Sequence, residues 1–165
     1  MTMLTILMRA DDIVFVSAGS SYTVPVGVAT LTAMIAGDPP LPEELINAIG
    51  TIMDHIEDVT RELPGAAAAD RIECGGNGVG TIAAVEVGGH APLPFSLSRA
   101  AAEEVFRTIA TETASDRALN PGLPKAEVRQ VLGVCCAVVA IFRALPAAVI
   151  HVVTESDALL GCGEQ

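Results

Sequence analysis

Residues 71–87 read Arg-Ile-Glu-Cys-Gly-Gly-Asn-Gly-Val-Gly-Thr-Ile-Ala-Ala-Val-Glu-Val, and this stretch decides the fold. Its first four residues have strand character, and residues 81–87 predict a helix. Between them stands a turn with four glycines in six residues, 75–80. A strand that enters a helix through such a turn is a building unit of α/β domains. We therefore predict an α/β domain with this turn at the edge of its sheet.

The same glycine turn is the strongest candidate for a binding site. Backbone N–H groups at the start of a helix point outward, and the helix dipole favours an anion there. The run G-G-N-G-V-G does not fit G-x-G-x-x-G, and no acidic residue near position 96 completes a dinucleotide motif. Phosphate or nucleotide contact and a purely structural turn therefore both stay open. The candidate phosphate- or nucleotide-binding residues are Gly75, Gly76, Asn77, Gly78, Gly80, Thr81 and, in the loop that follows, His90.

The sequence before the turn predicts three strands and a long helix. Residues 3–8, 13–16 and 22–24 are short runs rich in apolar or β-branched residues, separated by turn signals, which is typical of an antiparallel meander. Pro42 then starts a helix whose apolar residues recur every three or four positions until Pro64. Residues 66–69 are interpreted as a simple linker.

The sequence after the turn predicts two more helices and a last strand. Ser96 or Ser98 can cap a helix, and residues 121–124 break the chain. Residues 125–143 form the most apolar helix, and residues 149–153 read as a central strand. The predicted order is βββ-α-β-α-α-α-β, which gives a mixed sheet with packed helices in a single domain over residues 1–165.

Composition and charge limit the kinds of molecule that this chain is expected to bind. The chain carries 20 Asp and Glu against 9 Lys and Arg, for a net charge of −11, which repels nucleic acid and anionic lipid. The apolar run 131–142 is shorter than the roughly 20 residues that a membrane span needs. We therefore expect neither nucleic acid nor a membrane as a partner. The four cysteines form no CxxC pair and are interpreted as free, mostly buried thiols of a cytoplasmic protein.

The remaining polar residues predict no catalytic and no metal-ligating group. Asp54, His55, Glu57 and Asp58 lie beside the apolar stripe of the long helix, so they are interpreted as a solvated face. His151 lies within a strand and is interpreted as a partly buried, satisfied histidine. No serine or cysteine has a base nearby in sequence, so nucleophilic catalysis has no support.

Four segments resemble one known family. Residues 26–32 with 38–44 are similar to "VGSVRLTE…DPPTPEE", residues 75–84 to "GGTATTLAA", and residues 89–90 before the helix at Ser98 to "HG…LS". Residues 120–124, running through the apolar helix to 152–156 and 159–161, are similar to "NPGLPPERADVI…VTVSDRGLREG". The chain thereby resembles, over residues 5–161, the C-terminal half of the exopolyphosphatase/guanosine pentaphosphatase family of the actin-like ATPase superfamily.

The resemblance implies a ribonuclease-H-like domain, the second of two that close over a polyphosphate or nucleotide. It implies hydrolysis of a terminal phosphoanhydride with Mg²⁺ and a catalytic glutamate from the first domain. It also places the phosphate loop D-x-G-G-G-S ahead of the strand 3–8, outside this chain. Several family positions are altered here: Thr30 and Ala33 replace Arg and Glu, Gly78 and Gly80 replace two threonines, and Glu127 and Ala158-Leu159 replace basic residues.

These departures predict a diverged or partial domain. Loss of cations and hydroxyls weakens phosphate neutralisation, so we expect the chain to be inactive alone and to work with an N-terminal partner domain on a phosphate-rich ligand. The alternative is a non-catalytic module for oligomerisation or partner binding. Its support is the apolar helix 125–143, which is expected to be too apolar to bury completely in a domain of this size.

Overall fold

Six strands form a single mixed sheet in the computed structural model, which describes residues 1–163. The strands are β1 Met3–Met8, β2 Ile13–Ser17, β3 Ser20–Val24, β4 Arg71–Gly76, β5 Phe95–Ser98 and β6 Val149–Val152. The order across the sheet is β3-β2-β1-β4-β6-β5. Neighbours β1, β4 and β6 are parallel, whereas β2, β3 and β5 each run antiparallel to their neighbour. The predicted meander and the internal position of the last strand are confirmed.

The helices follow the predicted order with additions. They are α1 Val28–Ala33, α2 Pro42–Glu62, α3 Pro64–Ala67, α4 Val79–Val87, α5 Arg99–Thr111, α6 Ala114–Arg117, α7 Gln130–Ala144 and α8 Glu155–Gly163. The sequence pattern did not predict α1, α6, α8 or the strand β5, and α3 occupies part of the predicted linker 66–69. These elements are short, so most of them contain too few residues to display a period.

Helix α7 is the centre of the core. It starts at Gln130 rather than at residue 125, because Lys125–Glu127 form a separate 3-10 turn. Every residue from 131 to 142 is buried, since α1, α2 and α5 pack around α7 on one face of the sheet. The expectation that this helix would not bury completely is therefore wrong. Gly133 allows the close approach of α1, because a Cβ there would lie 2.6 Å from the carbonyl oxygen of Val28.

The two faces of the sheet are covered unequally. The face that carries Leu4, Ile6 and Met8 of β1 packs against the large helical core. On the other face a small cluster joins Leu7 to Ala158 of α8. Among residues 1–163, α8 is the helix that packs on this second face, and it crosses β4, β1 and β2.

Within residues 1–163 the cysteines form no disulfide, as predicted. Cys74, Cys135 and Cys136 are buried, and Cys162 is half-buried. Burial raises the pKa of Cys74 and of Cys136 to about 12, so these thiols stay protonated at neutral pH. In the described part of the chain no helix is both long enough and apolar enough to cross a bilayer.

The start of α2 is fixed by a carboxylate. The Glu44 side chain accepts hydrogen bonds from the backbone N–H groups of Leu41 at 2.9 Å, Ala36 at 2.7 Å and Gly37 at 3.0 Å. These bonds lower the pKa of Glu44, the one from Leu41 most strongly. The carboxylate thus ties the loop before α2 to the first turn of the helix.

This arrangement predicts how Glu44 affects stability against pH. A depressed folded-state pKa stabilises the fold above the unfolded pKa of about 4.3, and that contribution disappears as pH falls through the folded value. Glu44→Gln should therefore lower the urea midpoint at pH 7 and have little effect near pH 3. Glu43→Gln, which removes a neighbouring charge but none of these three bonds, is the control. An equal loss for both variants, or a Glu44→Gln loss that persists at pH 3, would contradict the prediction.

Candidate functional site

The glycine turn lies where two parallel strands end. It leaves β4 at Gly76 and enters α4 at Val79, beside the carboxyl end of β1, and the N–H of Asn77 donates to the Met8 carbonyl at 3.0 Å. In open α/β sheets, ligands bind outside the carboxyl ends of such strands. Gly76 has φ +101°, and a Cβ there would overlap the Met8 carbonyl oxygen. Glycine at this position is therefore required by the backbone itself.

The first turn of α4 presents backbone donors. Gly78 precedes the helix with φ +81°, and the N–H groups of Val79 and Gly80 fall in the turn where a helix supplies no acceptor of its own. The neighbouring α1 differs, because its first amides are already used. Val28 donates to the Arg9 carbonyl at 3.0 Å, and Ala29 donates to the Ala10 carbonyl at 2.9 Å. Of these two helix starts, α4 is the one suited to an anion.

A cavity of about 340 Å³ opens beside the turn. Asn77 reaches it from the turn, and Gln130 of α7 donates to the Asn77 side-chain oxygen at 3.3 Å. Arg129 brings an exposed guanidinium to the wall and donates to the Ile35 carbonyl at 3.4 Å. The cavity is lined by Ala10, Ala29, Thr32, Ala33, Asn77, Ala126, Arg129 and Gln130.

A carboxylate already occupies the start of α4. The Thr81 hydroxyl donates to Oε1 of Glu127 at 2.7 Å, and the same oxygen lies 3.4 Å from where a Cβ on Gly78 would stand. A negative charge is stabilised at this end of the helix by its dipole. Glu127 therefore places a negative charge beside the first turn of α4, and this charge opposes a phosphate electrostatically.

The other charges at this edge are largely paired. Arg9, in the turn between β1 and β2, is bound to Asp12 through two hydrogen bonds, with Nη2 at 2.8 Å from Oδ2. This bond raises the pKa of Arg9 further. Ala33, where the resembled family has a glutamate, lines the cavity without a charge. Arg129 thus lines the cavity with an exposed guanidinium, whereas Arg9 is paired with Asp12.

The structure brings most of the predicted site residues together. Asn77, Gly78, Gly80 and Thr81 surround the start of α4, while Gly75 and Gly76 form its support. Gly75 is buried under α8, because a Cβ there would lie 2.9 Å from that of Ala158. His90 is exposed beyond the other end of α4, about 13 Å away at 1.5 Å per residue. His90 does not join the turn.

Sequence reasoning missed Glu127, Arg129 and Gln130 as neighbours of the turn. Glu127 was noted only as a lost cation of the resembled family. A signal was present, because Arg129 stands two residues after that position and directly before the buried helix α7. The sequence analysis expected basic residues only at the positions where the resembled family has them.

Two other polar clusters do not form a catalytic site. Asp54 and Glu57 are exposed, as predicted, whereas His55 and Asp58 are half-buried. Within residues 1–163 no three His, Cys, Asp or Glu side chains converge as metal ligands. On the second face of the sheet, Ser96 Oγ lies 3.3 Å from Nδ1 of His151. Glu73 is in register with His151, but its carboxylate accepts from Arg71 at 2.9 Å. Glu73 therefore does not orient this histidine as a base.

Comparison with known proteins shows the class of fold. No protein-family model matches the sequence, and no curated protein matches it. Solved structures do match. An Aquifex aeolicus PPX-GPPA enzyme is similar with a TM-score of 0.83 and 15% identity, over 97% of this chain and 56% of that one. An exopolyphosphatase-like protein gives a TM-score of 0.84 and 14% identity over 96% and 58%, and a Cytophaga hutchinsonii exopolyphosphatase gives 0.73 and 13% over 97% and 56%.

The chain therefore has the α/β, ribonuclease-H-like fold of one part of the Ppx/GppA exopolyphosphatase structures. The resemblance inferred from the four sequence segments is confirmed at the level of the fold. The chain spans a little over half the length of these structures. At this level of identity the match defines the fold, and the chemistry has to be argued from the residues.

Proposed function

We propose that this chain is the second, non-catalytic half of an exopolyphosphatase-type phosphatase and that it supports phosphoanhydride hydrolysis only together with a first domain. The observation that carries the proposal is the glycine turn at the carboxyl ends of β1 and β4, with the Arg129-lined cavity beside it. Phosphoryl transfer depends on positioning and charge neutralisation. The backbone N–H groups at the start of α4 can position a phosphate, and the guanidinium of Arg129 can neutralise part of its charge.

The chain's own residues limit what it does. They can hold and orient an anion, but the carboxylate at the turn, Glu127, accepts the Thr81 hydroxyl hydrogen bond and weakens the attraction. The resemblance also implies Mg²⁺, yet the described residues offer no set of ligands for it, so no step is assigned to a metal in this chain. Catalytic groups would have to come from the first domain.

Phosphate release and ligand binding together test the proposal. The chain alone should release no phosphate from short polyphosphate or guanosine pentaphosphate, and adding an exopolyphosphatase first domain should start release. Isothermal titration of the chain with polyphosphate should show weak, saturable binding. Gly78→Leu should weaken it strongly, because the side chain would press on Val134 and Gln130 of α7, at 3.0 and 3.1 Å from its Cβ, and displace the first turn of α4.

Gly88→Leu is the matched control for this titration. Gly88 also has positive φ, +82°, but it ends α4 and a Cβ there meets nothing within 4 Å. Equal binding by both variants, or no heat from a folded wild-type chain at millimolar ligand, would remove the phosphate site and leave only the fold.

The second candidate function is a non-catalytic partner-binding module. The apolar helix on which the sequence analysis based this function is α7, and α7 is buried, so it does not offer a binding surface. A different observation favours it, namely the exposed leucines of α8 on the second face of the sheet.

A further inference from the structure

A second cavity, of about 520 Å³, lies between α2 and α5. Its volume is in the range of sites for small organic molecules, about 300 to 1,000 Å³. The cavity is separate from the glycine turn. Arg143 of its wall lies near the end of α7, whereas Gln130 beside the turn is the first residue of that helix, so about 20 Å separate them along the helix axis.

One wall of this cavity is a rigid proline loop. Pro39, Pro40 and Pro42 line the cavity from the segment that enters α2. The Glu44 carboxylate ties this segment to the first turn of α2, and the Asp38 side chain accepts a hydrogen bond from the N–H of Ala114 at 2.7 Å. Proline side chains lose almost no conformational entropy when they are covered. A ligand therefore meets a preformed wall, which lowers the free-energy cost of binding.

The aromatic surface in the cavity indicates the shape of the ligand. The chain has only four Phe, one Tyr and no Trp. Phe15 and Phe142 are completely buried, whereas Phe106 of α5 is half-buried and lines the cavity. Arg107, the next residue, also lines it, and a guanidinium stacks on aromatic faces as a phenyl ring does. These surfaces favour a flat aromatic ligand.

The charges in the cavity wall favour one negative group on that ligand. The charged lining residues are Arg107, Arg143 and Glu103, an excess of one positive charge in a chain of net charge −11. Glu103 accepts two hydrogen bonds of 2.9 Å from Arg143. These bonds, and then the charges of Arg107 and Arg99, lower the pKa of Glu103. Glu103 therefore stays ionised at neutral pH and keeps Arg143 paired.

Arg107 is the guanidinium that can exchange its partner. It is bound to Glu104, and the two side chains are 67% and 63% exposed. An exposed pair of this kind contributes little to stability, because water competes for both groups. The carboxylate of a ligand in the cavity can replace Glu104 at small cost. It can also form the two parallel hydrogen bonds that a guanidinium and a carboxylate prefer.

We infer that the cavity between α2 and α5 binds a small aromatic carboxylate. The aromatic ring lies against the proline wall and Phe106, and the carboxylate binds Arg107. The site goes beyond the proposed phosphatase function, because none of the residues of the glycine turn contributes to it.

Fluorescence titration of the chain with naphthoate tests this site, and naphthamide is the uncharged analogue of the same shape. The chain contains no Trp, so protein emission does not mask that of the ligand. Naphthoate should bind saturably and about tenfold more tightly than naphthamide, because hydrogen bonds between charged groups are stronger than those to a neutral one. Arg107→Gln should remove this difference by weakening the binding of naphthoate alone.

The pair of Arg61 and Asp58 on α2 supplies matched controls. Arg61 is 69% exposed, is bound to Asp58 with the same i, i+3 spacing, and lies outside the cavity wall. Arg61→Gln removes the same charge as Arg107→Gln and should leave naphthoate binding unchanged. Glu104→Gln should strengthen binding, because it removes the competitor for Arg107. Asp58→Asn, which removes an equal charge, should not.

Several results would overturn the inference. They are the absence of saturable naphthoate binding at millimolar ligand, equal affinities for naphthoate and naphthamide, equal effects of Arg107→Gln and Arg61→Gln, and displacement of naphthoate by tripolyphosphate. The last result would place the ligand at the glycine turn. If naphthoate binds as expected while polyphosphate does not bind, this site stands and the proposed phosphatase function fails. The reverse pattern removes this site and leaves the proposed function intact.

Discussion

Gly76→Ala is expected to lower the free energy of unfolding by at least about 3 kcal/mol. Two costs add at this position. The backbone has φ +101°, which alanine rarely adopts, and the new Cβ would overlap the Met8 carbonyl oxygen, far inside the 3.0 Å that real Cβ atoms respect. Met8 is paired with Gly76 in the central strands β1 and β4, so relief requires the two strands to move apart. Urea unfolding at pH 7 measures the loss.

Two other glycines allow the cost of the positive φ and the cost of the backbone clash to be measured separately. Gly88 has φ +82° with open space around it, so Gly88→Ala reports the positive φ alone, about 1 kcal/mol. Gly122 lies against α4 without a positive φ, and a Cβ there would lie 2.5 Å from the Ala84 carbonyl carbon, so Gly122→Ala reports a backbone clash alone. If Gly76→Ala cost no more than Gly88→Ala, the close approach of the turn to β1 would be refuted.

The parts of the fold that were predicted are those with a period or a turn signal. The strands β1 to β3 are short apolar or β-branched runs between turn residues, and α2 shows its stripe over 21 residues. The six residues of α1 and the four of β5 are too few to display either pattern. Local periodicity is therefore a sufficient guide for long elements only.

The burial of α7 was misjudged for a different reason. Its apolar character was clear, but how many neighbours would cover it depends on packing that is distant in sequence. The short α1, which the pattern missed, supplies one of those neighbours through the approach at Gly133. Because α1 was not predicted, the burial of the correctly predicted α7 was underestimated.

The backbone of the candidate site, the glycine turn, was predicted. The side chains of Glu127, Arg129 and Gln130 beside it were not. A glycine turn between a strand and a helix is a local feature, so its position and its donors follow from residues 71–87. Glu127 reaches Thr81 across 46 positions, and its placement depends on where α7 begins. That start differs by five residues from the predicted one, which turns a helix by more than a full turn.

Glu127→Gln is expected to raise the affinity for tripolyphosphate about tenfold at low salt, which corresponds to about 1.4 kcal/mol. The carboxylate lies at the start of α4, in hydrogen-bond contact with Thr81, so it faces any anion held by the first-turn amides. Unit charges 4 Å apart interact by about 1 to 4 kcal/mol between bulk water and a protein surface. Glutamine keeps an oxygen for the Thr81 hydroxyl while the repulsion is removed.

Glu86→Gln makes the comparison decisive, because it removes the same charge from the exposed far end of α4. Glu86 lies seven residues beyond Val79, about 10 Å along the helix axis, which is about one Debye length at 0.1 M salt. Titration calorimetry of both variants should show a gain for Glu127→Gln only, and the gain should shrink as salt is added. Equal gains would mean that the anion responds to net charge and not to the turn. A selective gain would identify Glu127 as the residue that holds a phosphate-type turn in a weakly binding form.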